Sequence, residues 1–314
     1  MRKKIIFSIV VLCSALFKMY GQMGIDTTTP RGALDINKSV TNTSGLVIPT
    51  NSDMDNIINP QGGNVAVGTI IYDSTLDCIR FYKLNGWSRC VSDRKGRPPV
   101  LRMAQWAVPA GMPFNSQLTD TNNYGTSGTY NKVSGIQITN ITSTLSNMTA
   151  DELLSNFDMI CTGWNGSNLP AADAAKIKEY VDRGGVALLL FDRNVGTGLL
   201  QAFGGNGTVG SGAVIARSTN DVVNNGIFGD VRDIALSGAD TAGRILMSQL
   251  PAGARLLATE ATNNAGGWIA GADGRAIFFW DEGVFRASVT GAIDTPQERF
   301  IHNVIAYALD KTGL

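Results

Sequence analysis

Histidine is nearly missing from this chain: 314 residues contain one, His302. Cysteine is also scarce at 4, with no Cys-x-x-Cys pair, so a structural zinc site lacks its usual ligands. Charged residues make up only 17% and cancel to a net charge of +0. A basic face for nucleic-acid phosphates is therefore not expected, nor one for an anionic membrane surface. Long apolar runs are absent apart from the first residues, so no transmembrane helix is expected in the rest of the chain.

What is present is glycine, at 36 residues, and a hydrophobic content of 44%, enough for a sizeable core. Frequent Gly, Asn and Thr suit a turn-rich protein with much β-structure. The chain opens with Arg2, Lys3 and Lys4, followed by an apolar stretch over 5–17 and then Gly21-Gln22. That is the layout of a secretory signal peptide over residues 1–22, with a mature chain starting near Met23. Leu12 before Cys13 is too large for a lipoprotein site. The expectation is export, to the periplasm, the outer-membrane surface or the medium.

Residues 23–92 read as short strands with polar turns. "TIIYD" and "CIRFYK" alternate apolar and polar residues, and Asn85-Gly86 is a hairpin turn signal. Cys78 and Cys90 stand on the two arms, with their midpoint near Leu84. A three-residue or bulged loop would bring them opposite each other. In an oxidising compartment they are a disulfide candidate; the alternative is two free thiols, one per arm. The order "GIDTTTPRGALDI", "GLVIPT", "GTIIYD", Cys78, "NGW", Cys90 resembles an N-terminal module of secreted and surface proteins of the Bacteroidetes. The resemblance covers Gly24 to Cys90. It implies display on a surface and self-association through this module, and it implies no chemistry.

Residues 93–99, charged and ending in two prolines, read as a linker. From 100 to 314 strands and helices alternate. "VLRMAQWAV" (100–108), "VSGIQITNI" (133–141) and "DMICTGW" (158–164) read as strands, and "VALLLFD" (186–192) as a strand covered on both faces. "MTADELLSNF" (148–157), "PAADAAKIKEYVDRGG" (170–185) and "TPQERFIHNVIAYALDKTG" (295–313) read as helices, the first capped by Thr149 and the last by Thr295. "ARLLATE" (254–260) and "RAIFFWDEG" (275–283) read as a hairpin-like pair with "GGWIAGADG" between them. The fold class expected is α/β: a flavodoxin-like, doubly wound, mostly parallel sheet preceded by a small β-rich N-terminal module.

"NFDMICTGWNG…AADAAKIKEYVDRGGVALLLFD" is similar to the core of class I glutamine-amidotransferase-like domains with a flavodoxin-like fold. The segments 224–231 and 271–285 and the final helix resemble the non-catalytic or trehalose-utilisation-type branches. This likeness spans about residues 100–314. It implies a nucleophilic cysteine on the turn after "VALLLFD", but Phe191, Asp192, Arg193 and Asn194 stand there. Cys161 lies one strand earlier, and His302 lies inside the last helix. The triad is therefore missing, and no catalytic residue is assigned.

Other chemistry fares no better. Gly271-Ala272-Asp273-Gly274 is not a full calcium loop, and "FGGNGTVGSG" (203–212) lacks the Lys-Ser/Thr of a phosphate loop. Neither a metal nor a cofactor is expected. Ligands of open α/β sheets bind beyond the carboxyl ends of the strands. Trp106, Trp164, Asp192, Arg193 and Asn194 therefore mark a candidate crevice, with the carboxylate pair Asp281-Glu282 after another strand. Aromatic faces with amides and carboxylates suit sugars. The sequence-level reading is a secreted or cell-surface non-catalytic binding or structural protein, its partner a surface protein or a glycan. The rival is a carbohydrate-binding or hydrolase- or amidase-type protein using the crevice.

Overall fold

The computed structural model of the chain describes residues 23–25, 34–36, 46–75, 78–84, 86–88, 90–91, 98–109, 112–163, 169–287 and 289–313. Residues 1–22, expected above to be a signal peptide, residues 93–97 of the expected linker, and Trp164 lie outside them. Two compact units are present, Met1–Ile48 and Pro49–Leu314. In the first, β1 (Met23–Ile25) and β2 (Leu34–Ile36) pair in parallel.

Besides two short two-stranded pairs, the second unit holds two larger sheets of very different size. The small sheet runs β3 (Thr50–Asn51), β4 (Ile70–Asp73), β5 (Cys78–Lys83), β6 (Gly86–Trp87), in that spatial order. Lys83 pairs with Gly86 and Tyr82 with Trp87, whereas Ile79 bridges Val91. The register has slipped by one residue between these pairs, as a bulge requires. Next to the Ile79–Val91 bridge, Cys78 and Cys90 form a disulfide with Cα atoms 5.5 Å apart.

The large sheet has nine strands. Its parallel half is β7 (Val100–Trp106), β8 (Gly135–Asn140), β9 (Met159–Thr162) and β10 (Val186–Leu190), with a last member supplied from much later in the chain. Between β10 and that member come two small antiparallel pairs, β11 (Gly210–Ser211) with β16 (Gly243–Arg244) and β13 (Asn225–Gly226) with β14 (Gly229–Asp230). The same excursion carries β12 (Ile215–Ser218), β15 (Ala235–Ser237), β17 (Arg255–Ala261) and β18 (Asn264–Ala270). It ends at β19 (Ala276–Phe279). The spatial order is β15-β12-β17-β18-β19-β10-β9-β7-β8. The parallel strands, counted along the chain, stand in the order 2-1-3-4-5 of the flavodoxin-like arrangement. The other four extend the sheet antiparallel from β19.

One sequence expectation changes here. "GGWIAGADG" is not merely a connection: Asn264–Ala270 is itself a strand, and β19 pairs in parallel with β10 rather than with β17. The glycines hid it. Gly266 is needed because a Cβ there would approach the Ala216 Cβ to 2.9 Å, and a Cβ on Gly267 would crowd the Phe279 ring at 3.1 Å.

Among the described residues five α-helices flank the sheet: α1 (Pro113–Thr119), α2 (Ala150–Asn156), α3 (Ala171–Asp182), α4 (Thr197–Ala202) and α5 (Pro296–Lys311). Successive strand residues point to opposite faces, and Phe278 and Phe279 show which helix covers which. Phe278 stacks on Trp268 at 5.0 Å and meets Phe203, just after α4. Phe279 meets Phe300 of α5 at 5.8 Å. α1 joins α5 through Gln117, which donates to Glu298. α3 packs against α4, and α2 against α3. Every residue of β10 is buried, as a strand covered on both sides must be. Thr149 and Thr295 each close a capping box with Glu152 and Glu298.

The small sheet docks against α2 and α3. Ile71 and Trp87 pack with Met54, and two buried arginines tie the parts together. Arg80 donates to Asp73, to Asp151 of α2 and to the Ser88 carbonyl. Arg183, at the end of α3, donates to the same Asp151, to Glu179 and to the Trp87 carbonyl. Since β10 begins just after Arg183, this contact lies toward the amino ends of the parallel strands, and their carboxyl ends stay clear of it.

Candidate functional site

The reversal of strand order falls between β7 and β9, where an open sheet of this kind parts to admit a ligand. The structure brings backbone together there. Ala107, after β7, has φ 56°, a left-handed conformation that costs a residue with a Cβ about 1 kcal/mol. Thr142 holds it by accepting from its N–H at 2.8 Å. Gly163 follows β9, and a Cβ there would stand 2.6 Å from the Ala107 carbonyl oxygen. Trp106 is buried at this point, leaving little of its ring to meet a ligand.

Polar chemistry gathers one strand further on, at the ends of β10 and β19. Asp192 is buried, accepting from the Thr241 hydroxyl at 3.0 Å and from the Arg193 N–H at 2.5 Å. Arg193 and Asn194 are exposed, and Asn194 has φ 59°. So Asp192, Arg193 and Asn194 sit together, while β9 separates them from Trp106.

Asp281 follows β19 and is fully buried. Its Oδ1 accepts from the Gly283 N–H at 2.7 Å; among the described residues no donor meets its Oδ2 at hydrogen-bond geometry, although the Ala239 N–H is near enough to pull on the carboxyl. Gly238 makes room for that oxygen: a Cβ there would overlap it at 1.6 Å. Burial raises the Asp281 carboxyl to about 7, against the pull of the Gly283 N–H and with help from the charges on Asp192 and Glu282. Burial also raises Glu282, although Arg286 opposes it. Arg286 bridges Glu282 at 2.9 Å and Asp240 at 3.0 Å across the rim. A buried acid near neutrality beside a second carboxylate is a recognisable acid–base pairing. Asp281 was visible in sequence as a carboxylate after an apolar strand; Thr241, Asp240 and Arg286 come from loops whose positions no local pattern reveals.

The candidate thiol and base are elsewhere and apart. Cys161 lies in the middle of the sheet, fully buried, and burial pushes its thiol up to about 12. His302 is buried between α5 and α1. Its Nε2 lies 2.7 Å from Gln117 Oε1 and its Nδ1 2.6 Å from the Tyr124 hydroxyl. The Gln117 amide nitrogen already donates to Glu298 and to the Thr290 and Ala292 carbonyls. Its Oε1 must therefore accept, which fixes the neutral histidine with the proton on Nε2. Burial lowers His302 to about 3, opposed by the charge of Glu298. Among the described residues no group of three or more His, Cys, Asp or Glu is placed to hold a metal ion, and no helix is long and apolar enough to cross a membrane.

No family profile matches the chain, and no curated protein matches it. Among solved structures, the chain is similar to one described as the mmIFT52 N-terminal domain: TM-score 0.44, 14% identity, covering 67% of this chain and 97% of that one. It is also similar to a glutamine amidotransferase from Methylobacillus flagellatus: TM-score 0.42, 12% identity, covering 68% and 95%. A third is a putative ThuA-like protein from Bacteroides uniformis: TM-score 0.43, 12% identity, covering 68% and 92%. Likeness this distant carries nothing about activity. The strand order and the site geometry have to speak for this chain themselves.

Proposed function

We propose that this chain is an exported, surface-displayed binding or structural protein that carries out no cysteine–histidine chemistry. One observation carries the part of the reading that concerns chemistry: Cys161 and His302 are each locked in the core, the thiol without a base and the imidazole held neutral by Gln117 and Tyr124. The Cys78–Cys90 disulfide supports an oxidising compartment. The signal-like residues 1–22 and the surface-protein likeness of Gly24 to Cys90 point the same way. In this reading 23–92 is the display module, 93–99 the linker and 100–314 the amidotransferase-like part. Self-association through the module has physical support in the outer face of the small sheet, where Ile70, Ile79, Phe81 and Val91 are exposed together. Fractionation of the expressing cell, followed by pull-down from the outer-membrane fraction, tests display and partner at once. Recovery only from the cytoplasm would overturn the reading.

The second reading is a hydrolase-type enzyme using the strand-end crevice. It is favoured by the buried Asp281 beside Asp192, a group that can hold a proton near neutral pH. Its test is a panel of ester, amide and glycoside substrates against the chain and its Asp192→Asn and Asp281→Asn variants. Turnover abolished by either substitution favours the enzyme.

A further inference from the structure

A second concave site lies where the fold does not direct attention, between the small sheet and helices α2 and α3. It is an open cleft of about 380 Å³, within the ~300–1,000 Å³ range of small-molecule sites. Tyr82 and Trp87 meet edge to face in it, ring centroids 5.2 Å apart. The Trp87 indole N–H is spent on the Met54 carbonyl at 3.2 Å, which fixes the ring.

Three polar groups in this cleft have no partner among the described residues: the Tyr82 hydroxyl, the Asn64 amide and the Asp55 carboxylate. The charged wall opposite is already occupied. Arg183 is shared between Asp151, Glu179 and the Trp87 carbonyl. The cleft therefore offers the Tyr82 ring, seated against a buried Trp87, one free acceptor in Asp55, and groups in Asn64 and Tyr82 that both donate and accept. Asp55, Asp151 and Glu179 disfavour an anionic ligand, and no guanidinium is left free to receive one. A neutral sugar matches this inventory. Its C–H face packs on aromatic carbon, and its hydroxyls donate to a carboxylate while pairing with an amide and a phenol.

We propose that this cleft binds a neutral saccharide, through the partly exposed Tyr82 ring, which the buried Trp87 holds in place, and through Asp55 and Asn64 at the rim. The proposal deepens the binding-protein reading and rests on it, but cell fractionation tests that reading separately. The site is distinct from the crevice at Asp192, which lies at the opposite, carboxyl ends of the parallel strands.

The experiment is saturation-transfer NMR followed by titration calorimetry on the full chain. The probes are oligomers of glucose, mannose, galactose and N-acetylglucosamine, with galacturonate and spermidine as charged controls. The expected result is transfer to ring C–H protons of at least one neutral sugar. Affinity should fall about tenfold, or ~1.4 kcal/mol, in Tyr82→Ala and by a smaller factor in Tyr82→Phe, which keeps the ring. Asn64→Ala, an exposed change that leaves the sheet intact, should also weaken binding, while Asp192→Asn should leave it unchanged. Absence of binding by every neutral sugar up to ~10 mM overturns the proposal. So does binding untouched by Tyr82→Phe and Asn64→Ala, binding lost in Asp192→Asn, or a preference for galacturonate or spermidine.

Discussion

Gln117 and His302 are 185 positions apart in the chain and 2.7 Å apart in space, and the amide oxygen of one fixes the tautomer of the other. Protonating His302 would turn its Nδ1 into a donor facing the Tyr124 hydroxyl, inside a site that strips a charge of its water. The unfolded chain takes up that proton near pH 6.5 and the folded chain only near 3. Stability from this group is therefore full above about 6.5 and lost as pH falls toward 3, at a limiting rate of ~1.4 kcal/mol per pH unit. Urea unfolding at a series of pH values checks it: Gln117→Leu, which strands the imidazole N–H and removes a donor from Glu298, should cost ~2–4 kcal/mol at pH 7.

Asp281 works in the opposite direction. Its folded pKa is raised to about 7, so the folded chain holds the proton more tightly than the unfolded one. Stability from this group is full below about pH 4 and declines as pH rises through about 7. Asp281→Asn keeps the shape and removes the charge. The variant should be more stable than the parent at pH 8, by ~1–2 kcal/mol after allowance for solvent screening, and little changed at pH 4. Equal stabilities at pH 8 would remove Asp281 from any acid–base role. Between pH 4 and 6.5 the slopes of Asp281 and His302 oppose each other, so the variant should also show a steeper acid limb than the parent.

Local pattern made much of this fold readable. The all-apolar "VALLL" announced a strand covered on both faces, and Thr149 and Thr295 announced helix starts, because these signals act over a few residues. The parallel core and the candidate disulfide were legible for the same reason. What stayed hidden depends on distant partners. β18 is glycine-rich because neighbouring strands crowd it, so its sequence does not read as a strand. The strand-end carboxylates Asp192 and Asp281 were visible one by one, but their meeting depends on the parallel pairing of β10 with β19 across an excursion of more than eighty residues. The cleft at Tyr82 and Trp87 was out of reach, since nothing local says that the small sheet lies against α2 and α3.

Cys161 should behave as a buried apolar group. With its thiol pushed up to about 12 and no exposed surface, it should resist a maleimide or iodoacetamide probe in the folded chain and react once urea unfolds it. Cys161→Ala should cost ~1–2 kcal/mol as a small cavity, and Cys161→Ser more than that, because the hydroxyl would be buried in a strand packed on both faces. Mass spectrometry of the labelled protein decides the matter. Rapid, selective modification of Cys161 under native conditions would revive the thiol-enzyme reading.

Asp151 is the hinge between the two sheets of the larger unit. One of its oxygens receives both Arg80 and Arg183, whose side chains are 3% and 8% exposed. Burial acts to raise its pKa, but the two guanidiniums outweigh that and hold the carboxyl below its usual value. Asp151→Ala would leave two nearly buried cations facing each other, with only Asp73 and Glu179 to answer them. Removing one partner of a buried pair costs ~3–5 kcal/mol. Asp151 itself is 36% exposed, so solvent should soften the loss to ~2–3 kcal/mol. The damage should be local as well as global. Amide exchange in β5 and β6 should quicken while β9 and β10 stay protected, because the parallel core keeps its own packing. Sugar binding at Tyr82 and Trp87 should weaken in step, since the cleft exists only while the small sheet stays docked. A double substitution, Asp151→Ala with Arg183→Leu, should recover part of the stability by removing one stranded charge. Failure to recover any would mean that the pair holds the sheets by shape rather than by charge.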